Sequence, residues 1–141
     1  MKLRKLQSYL DTFGIELPSI HTHAFIDFKQ LPKSKGLYSI WQGDTCVYVG
    51  QGGGGGGIRA RFDHHYNKAH AIYETKKGTR NGTSHGAGWV HARENLAWTP
   101  DEWTIEYILT NSAVDRTLIE GIMMKVLNPL CNDESFEDRS K

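Results

Sequence analysis

The stretch GLYSIWQGDTCVYVG, residues 36–50, decides the fold. It contains two short runs of β-prone residues, 37–42 and 46–50, separated by Gly43-Asp44-Thr45. Two such runs around a Gly-Asp turn are typical of a β-hairpin. We therefore predict a hairpin here and place the other elements of the domain around it.

The length of the hairpin loop decides which side chains share a face. A three-residue loop at 43–45 pairs Tyr38 with Gly50, Ile40 with Tyr48 and Gln42 with Cys46. Side chains alternate between faces along a strand, so Tyr38, Ile40, Cys46 and Tyr48 would share one face, and Leu37, Trp41, Val47 and Val49 the other. A two-residue loop would put the tyrosines on opposite faces. We predict the three-residue loop, because it gives one apolar core face and one face with both phenols.

Hydrophobic spacing predicts the remaining elements. The expected set is an amphipathic N-terminal helix through Leu3, Leu6, Leu10 and Phe13 that stops at Gly14, a helix with Ile58, Phe62, Tyr66 and Ala69 that begins near the end of the glycine run 52–57, a strand at 103–110, and a helix at 113–127 that stops before Pro129. This order predicts a small α/β (α+β) domain, in which helices flank a three-stranded, mainly antiparallel sheet.

The 141 residues suit a single domain. We expect an N-terminal helix and connecting arm at 1–35, a core at 36–132 with an insertion at 66–102, and an acidic tail at 133–141. The whole chain has a net charge of +1 and the tail has a net charge of −2, so residues 1–132 carry +3. Its basic clusters fit either contacts to a phosphate backbone or ordinary solvated surface charge.

Compartment is indicated only weakly. Cys46 and Cys131 match no disulfide framework or zinc spacing, which fits a reducing cytosol. No apolar run approaches the length of a membrane span, and no secretion signal is recognisable. We expect a cytoplasmic protein without a membrane partner.

The hairpin carries Gly36-Leu37-Tyr38 and Tyr48-Val49-Gly50, and four further polar residues follow in order. They are Arg61, His65 four residues later, Glu120 on a predicted helix, and Asn132 after a proline. Each tripeptide alone is commonplace, but the ordered set resembles the GIY-YIG nuclease family. The resemblance covers about residues 36–132.

This resemblance implies a metal-dependent DNA endonuclease, of type II restriction-like or mobile-element character, encoded by a prokaryote or a phage. Glu120 would bind one Mg²⁺ or Mn²⁺, and Arg61 would offset charge in the transition state. A tyrosine phenol, Tyr38 rather than Tyr48, would act as general base for an in-line water or relay its proton. Tyr48 would position the water or a phosphate oxygen, and His65 would assist the base or bind phosphate. Asn132 would hold a phosphate oxygen or brace the site. An enzyme that cuts both strands of double-stranded DNA would act as a homodimer.

The residues support parts of this assignment by themselves. Arg61 and His65 are four residues apart, so they share one face of a helix, which we expect to lie opposite the apolar stripe. The helix around Glu120 is apolar in most directions and is therefore predicted to be buried. A buried carboxylate needs a partner or a metal, and hard cations such as Mg²⁺ prefer carboxylate oxygens.

Other interpretations stay open. A non-catalytic nucleic-acid-binding module on the same fold, or a nuclease for RNA or branched DNA, is compatible with the sequence. The five histidines between residues 64 and 91 have spacings that fit no common zinc site. The glycine run lacks the Lys-Ser/Thr of a P-loop, and it indicates either a backbone that closely approaches DNA or a neutral loop expansion.

Overall fold

The computed structural model describes residues 1–74, 97 and 99–132. Strands β1 (His21–Ala24), β2 (Gly36–Gln42), β3 (Thr45–Gly52) and β4 (Thr104–Leu109) form one sheet in the order β1-β4-β2-β3, with every neighbouring pair antiparallel. Helices α1 (Gln7–Leu10), α2 (Gly57–Glu74) and α3 (Ala113–Leu127) pack on it. The mixed α+β class is therefore confirmed. The acidic tail and most of the expected insertion lie outside the described residues.

The described residues alone form a sheet of four strands, so the expected three-stranded sheet is wrong. The additional strand, β1, lies in the segment that we expected to be a connecting arm, and it pairs with β4 through His21↔Tyr107 and Ala24↔Thr104. Its sequence, His-Thr-His-Ala, is polar and largely exposed, and it lacks the alternation that predicts a strand. Hydrogen bonding to β4, a tertiary contact, makes this segment extended.

The hairpin turn is tighter than predicted, and a β-bulge compensates for it. Gln42 pairs with Thr45 and Trp41 with Cys46, so the predicted Gln42–Cys46 pair is wrong. The register then shifts between Ile40 and Trp41. A bulge places two residues of one strand opposite one of the other, and this restores the predicted pairs Ile40↔Tyr48 and Tyr38↔Gly50. Both tyrosines therefore share a face, as the sequence predicted.

Because of the bulge, Cys46 and Val47 exchange faces relative to the prediction. Both faces of the sheet are also buried, rather than one. The first face packs against α2 and a 3₁₀ turn at Phe25–Gln30, through Phe25, Phe28, Tyr38, Ile40, Val47, Tyr48, Ile58, Phe62 and Trp103. The second packs against the N-terminal helical segment and α3, through Leu3, Leu6, Leu10, Leu37, Trp41, Cys46, Val49, Ile108, Ile119 and Met123.

The two outer helical segments follow the prediction closely. The N-terminal segment combines α1 with 3₁₀ turns at Lys2–Leu6 and Asp11–Phe13, and it buries Leu3, Leu6 and Leu10 but leaves Phe13 exposed. Helix α3 begins after Ser112, whose hydroxyl accepts a hydrogen bond from the Asp115 amide at 3.1 Å, a usual N-cap contact. Among the described helices, none has the length and apolarity needed to cross a membrane.

Candidate active site

The hairpin brings the two tyrosines together. Tyr38 on β2 and Tyr48 on β3 are both buried, and their ring centroids lie 6.3 Å apart. Gly50 pairs with Tyr38 across the hairpin, and a Cβ at position 50 would lie 2.5 Å from the Tyr38 phenol oxygen. The glycine of the second tripeptide therefore leaves the space that the Tyr38 phenol occupies.

Helix α2 contributes Arg61 and His65 to the same region. It begins at Gly57, whose φ of +59° suits glycine, and the Ile58 amide donates to the Ser34 carbonyl at 3.0 Å. His65 is buried and Arg61 is exposed. The expectation that His65 lies opposite the apolar stripe is thus wrong.

Helical geometry explains this correction. At 100° per residue, positions 58, 62, 65 and 69 fall within one narrow stripe, and all four are buried. His65 lies inside the stripe and Arg61 at its edge. The four-residue step still places both residues on one side of the helix, where they reach the tyrosines.

Tyr38 and His65 form a buried hydrogen bond of 2.5 Å between the phenol oxygen and Nε2. Burial raises the pKa of Tyr38 well above its usual value, and the neighbouring Tyr48 raises it further. The positive charge of Arg61 and its hydrogen bonding act in the opposite direction but are outweighed. Tyr38 is therefore a neutral phenol near neutral pH, with an imidazole nitrogen as its direct partner.

Arg61 interacts with both phenols. Burial raises the pKa of Tyr48, whereas the charge of Arg61 lowers it. Burial lowers the pKa of Arg61 itself, but the two tyrosines more than compensate, so its pKa is raised. The guanidinium therefore stays charged, with one side toward the phenols and the other toward solvent.

Glu120 lies near the tyrosines but is not deeply buried. Its negative charge raises the pKa of both Tyr38 and Tyr48, which places it in their electrostatic neighbourhood. The carboxylate is half-buried, so the expected full burial of its helix is wrong. Helix α3 buries one stripe, through Arg116, Ile119, Met123 and Leu127, and Val114 is 78% exposed. The helix is apolar on most sides, but it is buried along one stripe only, because only that side meets the sheet.

Glu120 is hydrogen-bonded to Gln51, which is in turn hydrogen-bonded to Arg116. Neither Gln51 nor Arg116 was singled out by the sequence analysis. Gln51 Nε2 donates to Glu120 Oε1 at 2.9 Å, and Arg116 Nε donates to Gln51 Oε1 at 3.3 Å. The four-residue step from Arg116 to Glu120 was a readable signal of proximity. Gln51 gave no such signal, because its partners are more than 60 residues away in the sequence.

Asn132 acts on the backbone of the hairpin. Its Oδ1 accepts from the Val49 amide at 3.0 Å, and its Nδ2 donates to the Val49 carbonyl at 3.1 Å. Among the described strands β3 lies at the edge of the sheet, and the Asn132 side chain bonds to its outer backbone as a neighbouring strand would. Of the two roles considered for Asn132, this contact supports the bracing role, directly beside Tyr48.

The donor chemistry at Glu120 is compatible with a hard cation. In the described part of the chain, Glu120 forms no ion pair, and one hydrogen bond occupies Oε1. Within the same residues no group of three or more His, Cys, Asp or Glu side chains is close enough to share a metal. Mg²⁺ is often held by only one or two carboxylates together with water and substrate oxygens, and Glu120 fits that arrangement.

Tyr38, Tyr48, Arg61, His65 and Glu120 thus interact with one another, and Asn132 braces the strand that carries Tyr48. Comparison of the chain with protein-family models, with curated proteins and with solved structures finds no match in any of the three. Assignment of a function therefore depends on the geometry of this site and on the sequence pattern.

Proposed function

We propose that this chain is a metal-dependent DNA endonuclease of the GIY-YIG type. The observation that carries the proposal is the convergence of five residues from four elements: Tyr38 of β2, Tyr48 of β3, Arg61 and His65 of α2, and Glu120 of α3. A buried, mutually interacting cluster of titratable groups is typical of an active site, although structural networks can have the same composition.

The surface beside the cluster suits a phosphate backbone. Arg61 is exposed in the second turn of α2. The backbone of Lys33 and Ser34 packs directly against Gly57, where that helix begins, and Lys33 and Lys35 are exposed. This packing brings exposed lysines to the same end of α2 as Arg61. Such a grouping of cations favours a polyanionic substrate.

The hydrogen bond between Tyr38 and His65 provides a route for a proton. In the mechanism that we propose, a water molecule attacks the phosphorus as the P–O bond to the leaving oxygen breaks. The proton of the water passes to the Tyr38 oxygen while the phenol proton passes to His65 Nε2, and the leaving oxygen takes up a proton from solvent. Tyr38 alone cannot act as a base near neutral pH, because burial raises its pKa and so keeps the phenol protonated. His65 supplies the missing base, because its Nε2, when unprotonated, can accept the phenol proton through the hydrogen bond that joins the two side chains.

Arg61 would hold a non-bridging oxygen of the scissile phosphate, and its permanent charge would offset the charge that develops as the P–O bond breaks. Tyr48 would orient the attacking water or a phosphate oxygen. Glu120 would hold Mg²⁺ or Mn²⁺, which when bound supplies positive charge at the phosphate and at the leaving oxygen.

A single site cuts one strand at a time. Cleavage of both strands at a palindromic sequence, as in a restriction enzyme, requires a second site, and we propose a homodimer for that activity. A mobile-element nuclease that nicks one strand would need only one copy.

The decisive experiment is cleavage of supercoiled plasmid with Mg²⁺ or Mn²⁺ by the wild type and by Glu120→Gln. The expected result is cleavage by the wild type and a loss of about 10²–10³-fold in the variant, the usual range for removal of one transition-state-stabilising group. Glu16→Gln is the matched control, because Glu16 is exposed; it should cleave like the wild type.

Intact plasmid with the wild type across metals and salt concentrations, together with retained binding of DNA, would overturn the nuclease proposal in favour of a binding module. Equal cleavage by the wild type and Glu120→Gln would remove Glu120 from the mechanism. Cleavage of RNA or of branched DNA in place of plasmid would change the substrate but not the chemistry, which acts on the phosphate.

A further inference from the structure

Gln51 stands between a buried cation and the carboxylate of Glu120. It lies at the end of β3, whereas Arg116 and Glu120 lie one turn apart on α3 and face the same strand. Arg116 is only 5% exposed, and its Nη1 is anchored to the Thr110 carbonyl at 3.0 Å. Among the described residues Arg116 has no ion-pair partner, and two hydrogen bonds through the Gln51 amide link it to Glu120.

The chemistry of the partners fixes the direction of the Gln51 amide. A guanidinium can only donate hydrogen bonds, and an ionised carboxylate can only accept them. Gln51 must therefore turn Oε1 toward Arg116 Nε and Nε2 toward Glu120 Oε1, as the structure has it. A flipped amide would lose both hydrogen bonds, so the carboxylate has a donor in a fixed place.

The indirect link through Gln51 leaves one carboxylate oxygen of Glu120 available, which a direct salt bridge would often not do. Direct Arg–carboxylate pairs are frequently bidentate and occupy both oxygens. Here Gln51 uses one lone pair of Oε1, and no other hydrogen bond to Glu120 arises from the described residues. The carboxylate is thus held in orientation, and Oε2 stays available to a cation.

We propose that Gln51, oriented by Arg116, is a positioning residue that aims the Glu120 carboxylate at its divalent cation. This inference rests on the proposed function, in which Glu120 is the metal ligand. Partners of this kind, which hold a ligand in place without touching the metal, typically change metal affinity by about 10–100-fold when they are removed.

The glycine run provides a second way to disturb the pair. A Cβ on Gly53 would lie 3.3 Å from Arg116 Nη2, so this end of the guanidinium would have to shift by a few tenths of an ångström, whereas the 3.6 Å to Nε is ordinary contact. A Cβ on Gly55, in the same exposed loop, would meet nothing within 4 Å. Gly53→Ala and Gly55→Ala therefore form a matched pair, in which only the first variant places a methyl group against Arg116.

The test is a titration of the metal-free protein with Mn²⁺, followed by electron paramagnetic resonance of the unbound ion. We expect Gln51→Met, which keeps the length but removes both hydrogen bonds, to weaken Mn²⁺ binding by about 10–100-fold. Gln30→Met, at an exposed glutamine, should bind like the wild type. Gly53→Ala should weaken Mn²⁺ binding and Gly55→Ala should not. This second comparison tests the inference even if Gln51→Met fails to fold.

Wild-type affinity in both Gln51→Met and Gly53→Ala would overturn the inference, as would the absence of saturable Mn²⁺ binding by the wild type. Plasmid cleavage, measured in parallel, separates this inference from the nuclease proposal. Cleavage by the wild type with unchanged affinities in the variants would leave a nuclease without this positioning pair. If the Mn²⁺ affinities follow the expected pattern but no protein cleaves the plasmid, the positioning role of Gln51 is supported and the nuclease proposal is refuted.

Discussion

The two faces of the sheet are both buried, but they bury different chemistry. The face under α2 carries phenols, an imidazole and several aromatic rings, including Tyr38, Tyr48, Phe62 and His65. The face under α1 and α3 is mainly aliphatic, with Leu3, Leu6, Leu10, Ile108 and Ile119. The two core faces of a single sheet thus differ in composition: aromatic and titratable side chains cluster on the first, whereas aliphatic side chains dominate the second.

Each face also contains a buried ionisable group, and their partners differ. On the aliphatic face Glu106 is 4% exposed and accepts from the backbone amides of Lys2 at 3.0 Å and Leu3 at 2.9 Å. On the aromatic face, Tyr38 is paired with the side chain of His65. A carboxylate satisfied by backbone amides holds a chain segment in place, whereas two titratable side chains bonded to each other can pass a proton. The comparison supports a structural role for Glu106 and fits the catalytic role that we propose for Tyr38.

The largest effect should come from Tyr38→Phe, which removes the proton route but keeps the ring. We expect plasmid cleavage to fall by about 10²–10⁴-fold, the usual contribution of acid–base catalysis. The free energy of unfolding should change by no more than about 1–3 kcal/mol. Single-turnover cleavage measures the first and urea denaturation the second. Tyr9→Phe, at a half-exposed tyrosine, is the control, and equal rates in the two variants would refute the proton route.

Gly50→Ala tests the space around the Tyr38 phenol. The added Cβ would overlap the phenol oxygen and Cζ, and overpacking of this kind costs about 1–3 kcal/mol in stability. Cleavage should fall as well, because the phenol must move away from His65. Gly121→Ala on α3, where a Cβ meets nothing within 4 Å, should cleave normally. A Gly50→Ala protein with wild-type stability and cleavage rate would contradict the assigned geometry.

Glu106→Gln should produce the opposite result to Tyr38→Phe. Hydrogen bonds to a charged group contribute about 1.5–3 kcal/mol, so we expect the free energy of unfolding to fall by up to that amount for the weakened contacts to Lys2 and Leu3. The cleavage rate, measured well below the melting temperature, should stay at the wild-type value. Loss of cleavage without loss of stability would move Glu106 into the catalytic machinery. Glu102→Gln, at an exposed position, is the control for the charge change.

The smallest effect is a dependence of stability on alkaline pH. Burial raises the pKa of Tyr38 and of Tyr48 in the folded state, while the unfolded chain loses its phenol protons near pH 10. Above that pH the folded state binds more protons than the unfolded state, so stability falls, by up to about 1.4 kcal/mol per pH unit for each tyrosine. Urea denaturation between pH 9 and 11 measures the slope. Tyr38→Phe should flatten it, and an unchanged slope would argue against a strongly raised pKa of Tyr38.

Much of the fold was predictable because hydrophobic spacing, caps and turn residues, which are local in the sequence, determine its helices and strands. Helix α3 has the predicted bounds, since an apolar stripe, a serine cap and a following proline mark them. The hairpin pairing around both tyrosines was correct although the loop length was wrong, because the turn is one residue shorter and the bulge adds that residue back. Bulges have no clear signal in a single sequence, so the exchange of Cys46 and Val47 between faces was not predictable.

The candidate site was predictable as a set of residues and not as a set of contacts. The order of the tripeptides, Arg61, His65 and Glu120 can be read along the chain, and it marks the positions where the chemistry is expected. The Gln51 link and the contact of Asn132 with Val49 join residues more than 60 positions apart. Such contacts depend on how the elements pack, which periodicity does not report.

The sequence by itself determined the elements that arise from local spacing: the hairpin, helices α2 and α3, and the common face of Tyr38 and Tyr48. Tertiary structure decided the fourth strand, because the polar segment His21–Ala24 becomes extended only when β4 supplies its hydrogen bonds. It also decided how deeply each site residue is buried. His65 is enclosed because its side of α2 meets the sheet, whereas Glu120 stays half-exposed because its helix contacts the sheet along one stripe only. Burial depends on what lies opposite a side chain, and the sequence of one element does not contain that information.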